Sequence, residues 1–226
     1  MYKDLEKRIG LKFKDWHLLR NAFIHRSYLN EHKDSKLEHN ERLEFLGDAV
    51  LELVVTEYLY TNYPNPEGDL TNWRSALVKG EMLAKISREL KLGDHLFLSH
   101  GEEKSGGRDK DYLLANTFEA VIGVIYLELG YKKAQKFVDK FLLVHLEEIL
   151  KTGSHIDAKS KLQEIAQEKV GVTPSYQLQH EEGPDHSKVF TMGAFIGERM
   201  VGKGEGGSKQ VAEQKAAEDA LKRLKW

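Results

Sequence analysis

The spacing of apolar residues changes along this chain of 226 residues. From Met1 to about Leu150, apolar positions recur at intervals of three and four, which is the period of an amphipathic helix. Polar stretches that carry glycine or proline, at 62–70 and 98–111, separate the helical segments as turns or loops. The pattern therefore predicts an all-α domain over residues 1–150.

After a short polar linker at 151–156, the pattern is different. Residues 158–170 favour a helix, residues 174–206 show strand-like runs separated by glycines, and residues 208–226 favour a second helix. The order helix, three strands, helix is typical of a small α+β domain. We therefore expect a two-domain protein, with an all-α domain followed by an α-β-β-β-α domain at 157–226.

Composition excludes several classes of protein. The formal net charge is −2, and the segment from Asp157 onward is neutral, so any nucleic-acid binding has to depend on local charge. The chain has no cysteine, which excludes disulfides, thiolate catalysis and cysteine-based zinc sites. We find no signal-peptide core at the N-terminus and no apolar run approaching the ~18 to 20 residues of a membrane span. We expect a cytoplasmic protein without a membrane partner.

An acidic stripe runs along one predicted helix, in the sequence NERLEFLGDAV at 40–50. Glu41, Glu44 and Asp48 fall within a narrow arc at about 100° per residue, opposite an apolar stripe. The simplest interpretation is a solvated face of an amphipathic helix. Glu52 lies near the same arc, and helical geometry alone does not separate it from the other three.

A second helical segment, 112–130, is apolar on almost all sides but contains Asn116 and Glu119 on one face. An isolated ionised carboxylate in such a helix is costly unless it is paired, protonated or bound to a cation. Pairing with Arg42 or Arg74 is one interpretation. The other is that the two helices lie side by side and bring together the oxygen-bearing side chains of Glu44, Asp48, Asn116 and Glu119.

Such a group of oxygen ligands suits Mg²⁺, with Mn²⁺ as a substitute, and does not suit zinc. Carboxylates that hold one or two such ions support phosphoryl chemistry. No HExxH motif is present, and we assign no histidine to a metal.

Several segments, in order, resemble ribonuclease III, the endonuclease specific for double-stranded RNA. NERLEFLGDAVL closely resembles the signature of that family, and LLANTFEAVIGVIYLELG resembles its second acidic motif. LKFKDWHLLRNAFIHRSY and PEGDLTNWRSALV resemble further family segments, and the last 70 residues or so resemble a double-stranded-RNA-binding domain. The resemblance covers essentially the whole chain, in the two-domain arrangement of bacterial members.

The resemblance implies roles for individual residues. Glu44 and Asp48 match metal ligands, and Glu119 matches the glutamate required for metal binding and cleavage. Glu41 and Glu67 match further acidic residues near the cleavage site, one of them acting around the subunit interface. The resemblance also implies a homodimer through the helical domain, with one active site per subunit. The expected products have 5′-phosphate and 3′-hydroxyl ends with short 3′ overhangs. The expected substrates are ribosomal RNA precursors and other structured RNAs.

One position departs from the family pattern. Many members have Asp where this chain has Asn116, so the cluster has three carboxylates instead of four and we expect weaker metal binding. This difference leaves a non-catalytic double-stranded-RNA-binding protein open as an alternative. A metal-dependent hydrolase of small phosphorylated substrates is a third, weaker hypothesis.

The C-terminal segment carries the expected RNA-binding residues. Domains of this kind contact 2′-hydroxyls in two minor grooves and the phosphates between them. The first helix, the loop GPDHSK and the start of the last helix match these contacts, through Gln163, Glu164, Gln167, His186, Ser208, Lys209 and Gln210. Taken alone, Gln163 and Gln167 are also compatible with a solvated helix surface, and His186 with an exposed loop histidine. The glycines before Ser208 lack the Gly-Lys-Ser/Thr of a nucleotide-binding loop, so we expect no nucleotide cofactor.

Overall fold

The structure is a computed structural model that describes residues 2–33, 37–152, 158–184 and 188–226. The chain divides into two compact units, Met1–His155 and Ile156–Trp226. The first unit is helical. Its helices are α1 (Lys3–Ile9), α2 (Trp16–Asn21), α3 (Arg26–Glu31), α4 (Glu41–Asn62), α5 (Glu67–Leu77), α6 (Gly80–Glu89), α7 (His100–Lys104), α8 (Asp111–Leu129), α9 (Tyr131–Phe141) and α10 (Leu146–Thr152).

Helix α8 lies at the centre of this unit. Residues on nearly all of its sides are buried, among them Leu113, Leu114, Ile122 and Gly123, and the helix packs against α4, α6 and α9. By length and composition α8 could cross a membrane, with a mean hydropathy of 1.4, but 61% of its most apolar window is buried inside the fold. The expectation that no apolar run approaches the length of a membrane span is therefore wrong for α8, which is apolar because it is a core helix.

Two glycines let α4 and α8 cross at very short range. A β-carbon added at Gly47 of α4 would lie 1.8 Å from the carbonyl oxygen of Glu119, and one added at Gly123 of α8 would lie 2.4 Å from the carbonyl oxygen of Leu43. Only glycine leaves room for backbones at this distance. The crossing point lies within one turn of the acidic positions on both helices, so it determines how closely their side chains approach.

The second unit has the predicted order of elements. Helix α11 (Ala158–Val170) precedes the strands β1 (Ser175–Glu182), β2 (Val189–Ile196) and β3 (Arg199–Gly206), and α12 (Lys209–Leu224) closes the unit. The strands form one antiparallel sheet in the order β1-β2-β3. Helix α12 packs its alanines on β3, where a β-carbon at Gly204 would lie 2.2 Å from the backbone nitrogen of Ala216. The α-β-β-β-α prediction is confirmed.

Local differences from the sequence prediction concern helix ends. The helical pattern between the polar stretches at 62–70 and 98–111 contains no predicted break, but in the structure α5 ends at Leu77 and α6 begins at Gly80. The segment 98–111, predicted as a loop, contains the short helix α7. Helix α10 extends to Thr152, two residues into the predicted linker at 151–156, and residues 153–156 of that linker lie outside the described part of the chain.

Candidate active site and RNA interface

Four oxygen-bearing side chains lie close enough to affect one another where α4 and α8 cross. Glu44 and Asp48 lie one turn apart on α4, and Asn116 and Glu119 lie one turn apart on α8. Burial raises the pKa of Glu44, and the negative charges of Glu41 and Asp48 raise it further. A hydrogen bond from the side chain of Asn116 stabilises the ionised form of Glu44 and opposes those effects. The predicted convergence of the two helices is therefore present in the fold.

Glu119 has the most strongly perturbed carboxyl group of the cluster. Burial, together with the smaller effect of the negative charges of Asp48 and Glu44, raises its pKa to about 8. The carboxyl group of Glu119 forms no hydrogen bond or ion pair with any other residue that the structure describes. An unpaired, half-buried carboxyl group beside two other carboxyl groups is costly to ionise. A cation bound at this position would stabilise its ionised form.

The alternative that Glu119 pairs with an arginine is not supported. The Nε of Arg74 lies 2.9 Å from a carboxylate oxygen of Glu52, and its Nη1 donates to the hydroxyl of Thr56 at 2.9 Å. Arg42 lies on the exposed side of α4 and forms no ion pair within the described residues. Its ion pair with Arg74 also distinguishes Glu52 from the other acidic residues of α4, which helical geometry alone could not do.

The oxygen atoms of these side chains suit a hard divalent cation, although the side chains do not surround a common centre. Among the described residues, no three His, Asp or Glu side chains already stand at metal-binding distances from a common centre. Asp48 is exposed, whereas Glu44, Asn116 and Glu119 are half-buried. Like-charged carboxylates repel each other, and Mg²⁺ keeps several of its waters, so a loose set of oxygen ligands is compatible with its binding.

Glu41 lies at the edge of this cluster. Its carboxylate oxygens are 3.5 Å from Nη1 of Arg26 and 3.7 Å from Nδ1 of His39, and its charge contributes to the raised pKa of Glu44. Both ion pairs are largely exposed, so each contributes little to stability. Glu41 therefore adds negative charge beside Glu44 while it is itself in contact with two basic side chains outside the cluster.

Glu67 lies elsewhere in the same unit. It is the first residue of α5, and its carboxylate accepts a hydrogen bond from the hydroxyl of Thr71 at 3.0 Å. It is not among the charges that raise the pKa of Glu44 or Glu119. Glu67 instead lines a cavity of about 640 Å³ at the C-terminal end of α4, together with Tyr60 and Leu70. Within one chain, Glu67 is therefore not part of the acidic cluster.

In the second unit, Gln163, Glu164 and Gln167 are exposed on one face of α11. They line a shallow groove of about 500 Å³. Their side chains are exposed along about one turn of the helix, and the side-chain oxygen of Gln167 accepts a long hydrogen bond from the hydroxyl of Thr173 at 3.5 Å. His186 lies outside the described residues.

The start of α12 presents the remaining predicted residues. Ser208 caps the helix, and its hydroxyl accepts a hydrogen bond from the backbone nitrogen of Val211 at 3.3 Å. Lys209 and Gln210 are exposed in the first turn, where free backbone N–H groups and the helix dipole favour an anion. Gln210 lines a cavity of about 470 Å³ that Gln163 also lines, so the two helices present one continuous surface.

Sequence reasoning did not identify two residues on this surface, Lys159 and Gln214, which line the same cavity. The ammonium of Lys159 lies 2.5 Å from a carboxylate oxygen of Glu213 and 4.9 Å from the centre of the Tyr176 ring. Lys159 is therefore held in place by groups that are close only after folding. The one sequence signal was its position one turn before Gln163.

Comparison with known families agrees with this arrangement. Residues 15–146 match the family model described as Ribonuclease-III-like, and residues 158–224 match the Double-stranded RNA binding motif. The first match includes the whole acidic cluster, and the second includes the sheet with both of its helices.

Individual relatives are similar over nearly the full chain. The chain is 45% identical to Ribonuclease 3 of Pelotomaculum thermopropionicum, over 96% of this chain and 90% of that protein. It is 44% identical to Ribonuclease 3 of Enterococcus faecalis, over 98% and 96%. The chain also resembles a solved nuclease domain of Ribonuclease III from Campylobacter jejuni, a structure that concerns flexibility in a region involved in dimer formation. The two superpose with a TM-score of 0.58 and 42% sequence identity, over 62% of this chain and 95% of that one. From these matches and the placement of its acidic residues, the chain belongs to the ribonuclease III family of double-strand-specific endoribonucleases.

Proposed function

We propose that this enzyme hydrolyses phosphodiester bonds of double-stranded RNA in a Mg²⁺-dependent reaction that leaves 5′-phosphate and 3′-hydroxyl ends with short 3′ overhangs. The observation that carries this proposal is the unpaired Glu119 carboxyl, with a pKa of about 8, beside Asp48 and Glu44. We further propose a cytoplasmic enzyme whose substrates include precursors of ribosomal RNA and other structured RNAs, as its relatives' family implies.

Glu44, Asp48, Asn116 and Glu119 would hold the cation. Bound there, Mg²⁺ or Mn²⁺ supplies an activated water and charge stabilisation at the scissile phosphate. The hydrogen bond from Asn116 favours the ionised form of Glu44 and so opposes the rise in the pKa of Glu44 that burial causes. Asp48, which is exposed, is the carboxylate most accessible to an incoming phosphate. Glu41 adds negative charge at the edge and favours cation uptake.

The second unit would bind the duplex by its shape. Gln163, Glu164 and Gln167 offer hydrogen-bonding groups to 2′-hydroxyls in one minor groove, and the first turn of α12, with Lys209 and Gln210, binds phosphates. The predicted contact of His186 with a second minor groove remains part of this proposal. Gln210 stands where relatives commonly have a basic residue, so phosphate binding depends mainly on Lys209 and the helix end.

We propose that the nuclease unit forms a symmetric dimer through α4. Phe45 and Tyr60 are 81% and 80% exposed, and Leu53, between them on the same side of the helix, is 56% exposed. A row of exposed apolar side chains beside an open cavity is typical of a protein interface. In a two-fold dimer each copy offers both features, so Phe45 of one copy can fill the cavity of the other. Glu67, which lines that cavity, would then lie at the interface.

The test of the metal site is the substitution Glu119→Gln, with Glu89→Gln on the exposed face of α6 as a matched control. We expect Glu119→Gln to lose nearly all cleavage of a labelled RNA hairpin in Mg²⁺ while it retains duplex binding. Mg²⁺ should raise the melting temperature of the native protein and of the control but not of Glu119→Gln. Cleavage by Glu119→Gln at the native rate would refute the assignment, and end-group analysis of the fragments tests the 5′-phosphate.

The dimer is tested by Phe45→Asp, with Val144→Asp as the control because Val144 is also an exposed apolar residue but lies outside α4. We expect light scattering to give the monomer mass for Phe45→Asp and the dimer mass for the control. A Phe45→Asp variant that keeps the native mass would exclude this face as the interface.

A further inference from the structure

Helix α9 of the nuclease unit has a strongly basic exposed face. Its residues Ala134, Phe137 and Val138 are buried in the core of the unit. At about 100° per residue, four exposed lysines of the helix fall within an arc of roughly 100°. They are Lys132, Lys133, Lys136 and Lys140, which we call the α9 lysines. The net charge of the whole chain is −2, so this concentration of positive charge is local.

No carboxylate neutralises the α9 lysines within the part of the chain that the structure describes, because none of the four forms an ion pair there. The ammonium of Lys140 lies over the ring of Phe141 instead, 4.6 Å from its centre. Asp139 is the one acidic residue of α9 and lies at the edge of the arc. Burial, together with the negative charge of Glu57, raises the pKa of Asp139, so its surroundings are acidic and not basic. The lysines therefore repel one another in the free protein.

The positive surface continues into the loop between α1 and α2. A β-carbon added at Gly10, where this loop begins, would lie 3.8 Å from Nζ of Lys140. The same loop carries Lys12 and Lys14, which are both exposed. The carboxylate of Glu128, at the end of α8, accepts a hydrogen bond from the backbone nitrogen of Lys14. The loop thus adds two positive charges beside the C-terminal end of α9.

The chemistry of this surface favours a phosphate backbone as its partner. The exposed positions of α9 are the four lysines and Asp139, with no apolar side chain among them. A protein interface is usually centred on aromatic or aliphatic anchors, and a helix that lies on a membrane needs an exposed apolar face. The apolar face of α9 is in the core instead. Nucleic-acid phosphates are bound through lysine charge without such anchors.

The α9 lysines lie away from the acidic cluster. The hydroxyl of Tyr131, the first residue of α9, donates a hydrogen bond to the carboxylate of Glu57. From Glu44 to Glu57, α4 advances by about 20 Å at about 1.5 Å per residue. From Lys132 to Lys140, α9 spans about 12 Å. A duplex carries on the order of one negative charge per 2 Å of its axis, so several phosphates fit along this row.

We propose that the α9 lysines bind the phosphate backbone of the substrate RNA, on duplex that extends beyond the bond to be cut. This inference rests on the proposed function, because it takes double-stranded RNA as the substrate. Phosphate contacts carry no sequence information, so they add affinity for any duplex that is long enough to reach them. The enzyme therefore prefers long duplexes to short ones through KM.

The test uses the full-length protein and replaces three of the four lysines, as Lys132→Gln/Lys133→Gln/Lys136→Gln. Lys140 is kept because of its contact with the Phe141 ring. The matched control replaces three exposed lysines that form no ion pair within the described residues and do not share a helix face, as Lys7→Gln/Lys85→Gln/Lys91→Gln. Circular dichroism checks that both variants are folded. The substrates are a short RNA hairpin and the same hairpin with duplex lengthened to more than about 20 Å beyond the cleaved bond.

In EDTA, where no cleavage is expected, the α9 variant should bind the long hairpin about tenfold more weakly than the native protein, and its slope of log affinity against log salt should be smaller by about 2. In Mg²⁺, its KM should rise more for the long hairpin than for the short one. The control should behave as the native protein does in both assays.

Equal affinities and equal salt slopes of the native protein and the α9 variant for the long hairpin would overturn the proposal. If the native protein cleaves neither hairpin, the proposed function fails, and the binding comparison in EDTA still decides whether the α9 lysines contact RNA. Binding of the native protein to phosphatidylglycerol vesicles that the α9 variant loses, with RNA affinity retained, would overturn the proposal in favour of a lipid surface.

Discussion

The contact between Gly47 and Gly123 makes a specific prediction about catalysis. In Gly123→Ala, the added carbon would lie 2.4 Å from the carbonyl oxygen of Leu43. An ordinary contact between carbon and oxygen is about 3.4 Å, so α4 and α8 have to separate locally by about 1 Å. The carboxyl groups of Glu44 and Asp48 would move away from that of Glu119 by a similar distance.

The expected cost in stability is smaller than the expected cost in activity. Overpacking a core contact costs about 1 to 3 kcal/mol. Replacing glycine by alanine within a helix recovers about 1 kcal/mol of that. A displacement of about 1 Å in a catalytic group lowers rates on the order of 100-fold. We therefore expect Gly123→Ala to remain folded at 25 °C, to melt a few degrees lower, and to cleave RNA about 100-fold more slowly.

The assay compares native protein, Gly123→Ala and the control Gly80→Ala under single-turnover conditions with a labelled hairpin, across a range of Mg²⁺ concentrations. Gly80 is a sound control because a β-carbon there would meet its nearest neighbour at 3.9 Å, an ordinary contact. Circular dichroism and duplex binding show whether each variant is folded. A folded Gly123→Ala variant that cleaves within about twofold of the native rate would show that the helix crossing does not set the geometry of the site.

Three further predictions follow from other residues. Because the pKa of Glu119, about 8, lies above the ordinary value of 4.5, the folded protein holds this proton more tightly than the unfolded chain between those pH values. The contribution of Glu119 to the unfolding free energy therefore falls as pH rises from 4.5 to about 8. Thermal unfolding in EDTA at pH 5.5 and 8.5 should show this loss of stability in the native protein but not in Glu119→Gln. Asn116→Asp adds a carboxylate to the cluster and should lower the Mg²⁺ concentration at half-maximal cleavage; an unchanged concentration would exclude a role for that charge. Gly204→Ala places a carbon 2.2 Å from the backbone of α12 and should abolish duplex binding in a gel-shift assay while the nuclease unit stays folded.

Much of the architecture could be predicted from periodicity, because the apolar spacing of three and four reports which faces of helices are buried. The same spacing placed Glu44 and Asp48 on one side of α4, and the polar interruption of an apolar helix singled out Glu119. These features are local, so a single sequence contains them. The resemblance then indicated which acidic residues act together.

Features that depend on contacts between distant segments could not be predicted in this way. Glu52 carries the same residue type and nearly the same helical position as its neighbours, and only its ion pair with Arg74 removes it from the cluster. Nothing in the local sequence distinguishes Gly123, where two backbones touch, from Gly80, where a side chain is tolerated. A cavity lined by Tyr2 and His95 likewise brings together residues that are far apart in the sequence.

The elevated pKa of Glu119 also links cation uptake to the acidity of the surroundings. A group with a pKa of about 8 still carries its hydrogen at neutral pH, so the metal-free centre has one negative charge fewer than its composition implies. An arriving cation has to displace that hydrogen, which is released to the solvent. We therefore expect alkaline conditions to tighten binding of the proposed Mg²⁺ ion, and more acidic conditions to weaken it and slow cleavage.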